Sequence, residues 1–288
     1  MLELHAVPKL NLTPFHHLSL TEIEWTPSSL ISMEEFLPVI STIPTVRDLM
    51  LSDCHFLRDH HMIFFSHMSS LQYIDISFCR HITDLSPLQN VKTIIASHCT
   101  MLTQVEGLRG GSTTSLDLTR NTRLTDISPL VHLKNLDVSR CSRLSDLSPL
   151  GTDICRLETL DLSYCRCLTD LSPLAHVKTL LSLTLLHTPV KDVSPVGHVI
   201  FLDLSWCQEI SDVSSLGNVS HLYLCYCPKI TDVSALVNVP FLNVTGCRNI
   251  TNLEILTHSK QVLHKNNDAD VVANLPYNGE NFSYFAQD

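Results

Sequence analysis

Residues 160–165 read Leu160-Asp161-Leu162-Ser163-Tyr164-Cys165, and residues 168–174 continue Leu168-Thr169-Asp170-Leu171-Ser172-Pro173-Leu174. Leu alternating with Asp over the first three residues has the period of a strand, with Leu turned inward and Asp outward. The apolar-x-apolar-small-x-Cys phrase recurs ten times, ending at Cys54, Cys79, Cys99, Asn121, Cys141, Cys165, Thr188, Cys207, Cys227 and Cys247. The separations are 25, 20, 22, 20, 24, 23, 19, 20 and 20 residues. Units this short stack their strands into one parallel sheet. They leave no room for a full α-helix on the return side, where short 3₁₀ turns or extended chain are expected, with Ser172 capping such a turn ahead of Pro173. Seven units go on to an Asp, at positions 84, 126, 146, 170, 192, 212 and 232. Seven copies spread along a rod cannot form one catalytic centre, so they are read as structural.

Leu at alternating positions followed by Cys or Asn makes residues 46–256 similar to the leucine-rich repeat family. The "TDISPL" and "SDLSPL" phrases at Asp126 and Asp146 resemble the short repeats of internalins and of a nuclear phosphatase-regulating relative. The Cys column resembles the cysteine-containing class, and beside the "ITDVS" phrase at Ile230 to Ser234 it resembles the repeat region of trypanosome putative adenylate cyclase regulators. The resemblance implies an α/β solenoid, a horseshoe with one parallel sheet of about ten strands, spanning roughly 50 Å at about 4.8 Å per strand. It further implies a regulatory or adaptor subunit that holds a polypeptide on its concave face. An alternative is a substrate receptor of a ubiquitin ligase, or a regulator of a phosphatase or adenylate cyclase.

The ends depart from the frame. Residues 1–45 form a divergent N-terminal cap, 46–256 the repeats, and 257–288 a C-terminal cap and tail. Leu18-Ser19-Leu20 keeps a trace of the repeat phrase. Ser32 with Glu35 is a capping-box pattern that predicts a helix from about Met33, kinked or ended by Pro38. Phe56, Leu57, Met62, Ile63, Phe64 and Phe65 fit a helix on the return side of the first long unit. A solenoid must cover its last apolar layer, a task assigned to Thr257–Asn274. Beyond it, Lys265-Asn266-Asn267-Asp268 marks a loop, and the stretch holding Phe282, Tyr284 and Phe285 a loose tail.

The chain has 288 residues, is 44% hydrophobic and carries a formal charge of −10. That balance argues against nucleic acid as the partner, since phosphate binding needs Lys and Arg to displace counterions, and favours a protein with a basic surface. No run of 18 apolar residues or leader-like N-terminus is present, so an intracellular, cytoplasmic or nuclear protein that acts as a monomer within a hetero-complex, without membrane contact, is expected. Eight of the eleven cysteines fall in the core column, which favours packing over disulfides. No cofactor, metal or catalytic motif is assigned. His55, His60, His61 and His67 are dense, but neighbours on a helix point about 100° apart. In Cys165/Cys167 and Cys225/Cys227 one member belongs to the core column. His132, His176 and His198, with Asn90, Asn218 and Asn238, share a column read as hydrogen bonding at the turn.

Two rows on the frame are candidates for recognition. The residue between the apolar strand positions is Asp at 75, 117, 137, 161 and 203 and Tyr at 223. Like charges about 5 Å apart cost roughly 1 kcal/mol per pair, which a cationic partner would relieve; equally, the Asp could be inherited on a solvated face. The residue before the Cys column reads Asp53, Phe78, His98, Arg120, Arg140, Tyr164, His187, Trp206, Tyr226 and Gly246. It varies on a constant frame, and Tyr, Trp and Arg are enriched at interface hot spots, although aromatics at strand ends also pack on rim loops. The candidate partner-binding set is Asp117, Arg120, Asp137, Arg140, Asp161, Tyr164, His187, Asp203, Trp206, Tyr223 and Tyr226.

Overall fold

The repeat phrase is one rung of a parallel sheet. The computed structural model describes residues 2–4, 21–25, 32–258 and 261–263. Among the described residues thirteen short strands pair in chain order: β1 (Leu2–Leu4), β2 (Glu22–Trp25), β3 (Asp48–Met50), β4 (Tyr73–Asp75), β5 (Thr93–Ile95), β6 (Ser115–Asp117), β7 (Asn135–Asp137), β8 (Thr159–Asp161), β9 (Ser182–Thr184), β10 (Phe201–Asp203), β11 (His221–Tyr223), β12 (Phe241–Asn243) and β13 (Gln261–Leu263). Every pair is parallel and in register, so Leu136, Leu160, Leu183 and Leu202 lie side by side. The result is an open solenoid. The ten expected strands are β3 to β12, and the sheet continues by two strands before them and one after.

Each rung folds for the reasons its residues supply. In the rung of β8, Leu160, Leu162, Cys165, Leu168, Leu171, Leu174 and Val177 are all buried. Fully burying one such aliphatic side chain favours folding by about 1.5–3 kcal/mol. The return side is a stack of 3₁₀ turns, such as Ser128–Leu130, Ser148–Leu150, Ser172–His176 and Ser194–Val196. The expected Ser172 cap is corrected by the geometry. The turn begins at Ser172 itself, and Asp170 Oδ1 accepts the Ser172 N–H at 2.8 Å. Asp84, Asp126, Asp146, Asp192, Asp212 and Asp232 accept from the Ser two residues on at 2.8–2.9 Å. The repeated Asp therefore starts each turn, which is why it recurs.

At the N-terminal side the helix α1 spans Met33–Ile40, and Ser32 Oγ accepts the Glu35 N–H at 3.3 Å. Pro38 neither ends it nor stands at its boundary; the helix runs on to Ile40. Phe36 packs on Trp25 with ring centroids 4.4 Å apart. The helix expected around Phe56–Phe65 is instead a 3₁₀ turn, Asp59–His61, followed by the single α-turn α2 (Ile63–Ser66). Met62 and Phe65 are buried there, whereas Phe56 is 67% exposed and Ile63 faces solvent. Leu18-Ser19-Leu20, Lys265–Asp268 and the C-terminal aromatics lie outside the described residues.

Candidate functional site

The variable row stands on an unusual backbone. Asp53, Phe78, His98, Arg120, Arg140, Tyr164, His187, Trp206 and Tyr226 all have φ between 54° and 65°, and Gly246 has 77°. A left-handed conformation costs a residue with a side chain roughly 1 kcal/mol. The rung explains why it is tolerated. Cys165 N–H bonds back to the Leu162 carbonyl at 3.2 Å, closing a four-residue turn whose third member is Tyr164, the position where a type II turn requires positive φ. The Tyr164 N–H still reaches the next rung, at Leu186 O, 2.7 Å away. The turn thus drops the Cys side chain into the core and throws the preceding side chain outward while the sheet ladder continues.

Stacked turns align those side chains. Arg140 lies over the Tyr164 ring at 4.0 Å. Tyr164 stacks on His187 at 4.7 Å, His187 on Trp206 at 5.1 Å and Trp206 on Tyr226 at 4.2 Å, with interplanar angles of 12–21°. Toward the other end, an Arg120 guanidinium nitrogen meets His98 Nε2 at 3.0 Å and His98 stands edge-on to Phe78 at 4.6 Å. Trp206 is 40% and Tyr226 43% exposed, so the ladder offers ring edges to solvent while its faces contact one another. Burial, then the neighbouring arginines, lowers the His98 and His187 pKa values, so both rings are neutral at pH 7.

The Asp row is placed differently from its expectation. Asp117 and Asp137, expected to face solvent, are only 6% exposed. Each of Asp75, Asp117, Asp137, Asp161 and Asp203 accepts the backbone N–H two residues on, at 2.7–2.9 Å, and Asn243 does the same at 3.1 Å. These carboxylates fix the turn that presents the variable row. Burial, with repulsion from Asp137 second, pushes Asp117 up to about 6 and Asp161 up to about 7. Burial raises Asp137 and Asp203 as well. Near neutral pH the row therefore holds less negative charge than its formal count.

Comparisons with known proteins agree with this geometry. A family model described as leucine rich repeats (2 copies) matches residues 131–176. The chain has the leucine-rich repeat fold. Its fold is similar to that of an internalin, InlF, from Listeria monocytogenes, with a TM-score of 0.66, 18% identity, and 93% of this chain and 86% of that one covered. It is similar also to the functional domain of InlJ from Listeria monocytogenes, a structure described as including a cysteine ladder, with a TM-score of 0.52, 17% identity, and 91% of this chain and 63% of that one covered. No curated protein matches the sequence.

The solenoid has a second aromatic cluster that one-row reading overlooks. Phe201 and Tyr223 lie 5.3 Å apart, Tyr223 and Phe241 5.0 Å, and His221 and Phe241 5.8 Å, across β10 to β12. The sequence signal was the strand period itself, since the residue two before Tyr223 shares its face. His60 and His61, expected to diverge on a helix, sit on a 3₁₀ turn with rings 3.9 Å apart, and with Glu34 bring ligand-type atoms within 4.8 Å of one another. His61 Nδ1 accepts the Arg58 N–H at 3.1 Å, which assigns the proton to Nε2, facing Glu34 Oε1 at 3.4 Å. A metal would need that nitrogen's lone pair, so the trio reads as a tether between α1 and the next turn. His132 and His198 meet the carbonyls of Pro129 and Pro195 at 3.1 Å, the turn bonding expected of their column.

Proposed function

We propose that this protein is a non-catalytic scaffold that binds a polypeptide along the ladder and the adjoining concave face, as an adaptor or regulatory subunit of an intracellular complex. The observation that carries the reading is the unbroken stack from Arg140 to Tyr226, partly exposed and raised on left-handed backbone that the fold stabilises elsewhere. Arg140, Tyr164, His187, Trp206 and Tyr226 are its contact residues, with Arg120 at one end and Tyr223 beside it. Asp117, Asp137, Asp161 and Asp203 hold them in place. Rigid aromatics already packed against their neighbours lose little side-chain freedom on binding, which favours affinity. All eleven cysteines are free, which fits a reducing compartment.

The test is capture from native lysate with the wild-type chain and a Tyr164→Ala, Trp206→Ala, Tyr226→Ala variant. The variant should keep the far-ultraviolet circular dichroism of the wild type and lose the captured proteins. An unchanged set of partners would overturn the assignment of this surface.

A further inference from the structure

Charge on the ladder's edge is distributed against the charge of the whole molecule. Arg80, Arg120, Arg140 and Arg166 are exposed, and they lie on the turns after β4, β6, β7 and β8. Arg120 and Arg140 stand just before the core column and Arg80 and Arg166 just after it, so the four lie along one edge of the solenoid, where an Arg120 guanidinium nitrogen is 3.0 Å from His98 Nε2. Three cations elsewhere sit beside acids: Arg109 on Glu106 at 2.6 Å, Lys134 on Glu158 at 2.8 Å and Lys229 on Glu209 at 2.7 Å. Among the described residues no carboxylate lies within 4.0 Å of any of the four rim arginines. The nearby Asp row points to its own turns and does not neutralise them.

We infer that the rim takes an extended acidic segment of a partner polypeptide, its carboxylates on Arg80, Arg120, Arg140 and Arg166 and its apolar side chains against Phe78 and Tyr164 at the two ends of that span. This rests on the proposed scaffold role and, at this rim, replaces the basic partner expected from net charge with an acidic one. The guanidinium of Arg140 lies over Tyr164 at 4.0 Å and has no carboxylate partner among the described residues, and a guanidinium can bind a carboxylate through two N–H donors at once. Four rung spacings from Arg80 to Arg166 amount to about 19 Å, the reach of roughly six extended residues. A polypeptide fits better than a nucleic acid, because bases bind single-strand sites by stacking on aromatic faces and here those faces already contact one another.

Fluorescence polarisation on the full chain in low salt decides the matter. The probes are labelled hexapeptides of alternating Glu and Leu or alternating Lys and Leu, and a ten-nucleotide oligothymidylate. The acidic peptide should bind at least about tenfold tighter than either alternative, weaken with added salt, and lose about tenfold on Arg120→Gln with Arg140→Gln. Both substitutions are at exposed sites, and circular dichroism checks that the fold is kept. Basic-peptide or oligonucleotide binding equal to or tighter than acidic, no acidic binding, or indifference to the double substitution overturns the inference. Ladder-dependent binding of the basic peptide would leave the scaffold reading standing while this one falls. No peptide binding together with unchanged lysate capture by the triple Ala variant would remove both.

Discussion

A thiol on the core column does more than fill space. Cys165 is buried, and its Sγ–H points at the Val138 carbonyl of the preceding rung, 3.3 Å away. Cys79, Cys99, Cys141, Cys207, Cys227 and Cys247 repeat the contact at 2.8–3.3 Å, and Asn121 does so with its amide at 2.8 Å. Thr188 instead donates to Leu185 of its own rung at 2.8 Å. A thiol donates only while protonated, and burial pushes Cys165 and Cys99 up to about 12. Nine of the eleven cysteines are buried, leaving Cys167 exposed and Cys225 half-buried. A chromogenic thiol reagent at pH 8 should therefore modify two groups quickly in the native protein and all eleven in denaturant. Rapid reaction of four or more would contradict the inward column. The strand period alone announced that column; the partner of each Sγ depended on how rungs stack and could not be read from one unit.

The turn after each strand is the element that presents the outward row. At the last turn described with it, Gly246 supplies positive φ without a side chain, and an added Cβ would meet the Tyr226 ring at 2.5–2.9 Å. Gly246→Ala should cost about 1–2 kcal/mol, the sum of left-handed backbone cost and displacement of Tyr226, read as a lower urea midpoint with unchanged m-value. Wild-type stability in that variant would show that the ladder's end is not packed as described. How much of this was legible varies by element. The spacing of Cys141, Cys165 and Thr188 indicated rungs, and the variation at Tyr164, His187 and Trp206 indicated an outward row. The left-handed backbone did not show, because Tyr, His and Trp carry no preference for it and the closing bond from Cys165 to Leu162 imposes it. The Asp row was misjudged for a related reason: Asp161 lies on the outward face, yet the Ser163 N–H and neighbouring rungs enclose it. The extra strands β1, β2 and β13 have sequences too unlike the phrase to announce themselves.

For the whole molecule, two sets of carboxylates pull stability in opposite directions with pH. Asp117 and Asp161 rise from 3.8 to about 6 and about 7 in the fold, so the folded state binds their protons more tightly than the unfolded chain. Their contribution is fully present below pH 3.8 and is lost as pH climbs through about 6 to 7. The turn-starting Asp146, Asp170, Asp212 and Asp232 are held below 3.8 by bonds from the following Ser, so their contribution is present above that value and lost as pH falls through their lowered values. From these carboxylates the melting temperature should be highest near pH 4 and fall as pH rises to about 7. Asp117→Asn should flatten the decline and stabilise the protein at pH 8 by roughly 1 kcal/mol, since an amide oxygen can take the same N–H, as Asn243 does at 3.1 Å. A variant that melts in parallel with wild type across this range would remove the Asp row from the account. The left-handed row also limits which alphabet can be written on this solenoid. Proline cannot reach positive φ, and Val, Ile and Thr reach it only with heavy crowding. None of the four occurs among the ten outward positions. The remaining amino acids can be exchanged there while the inward Leu and Cys stay fixed, so the character of the outward edge can change with little toll on the scaffold beneath.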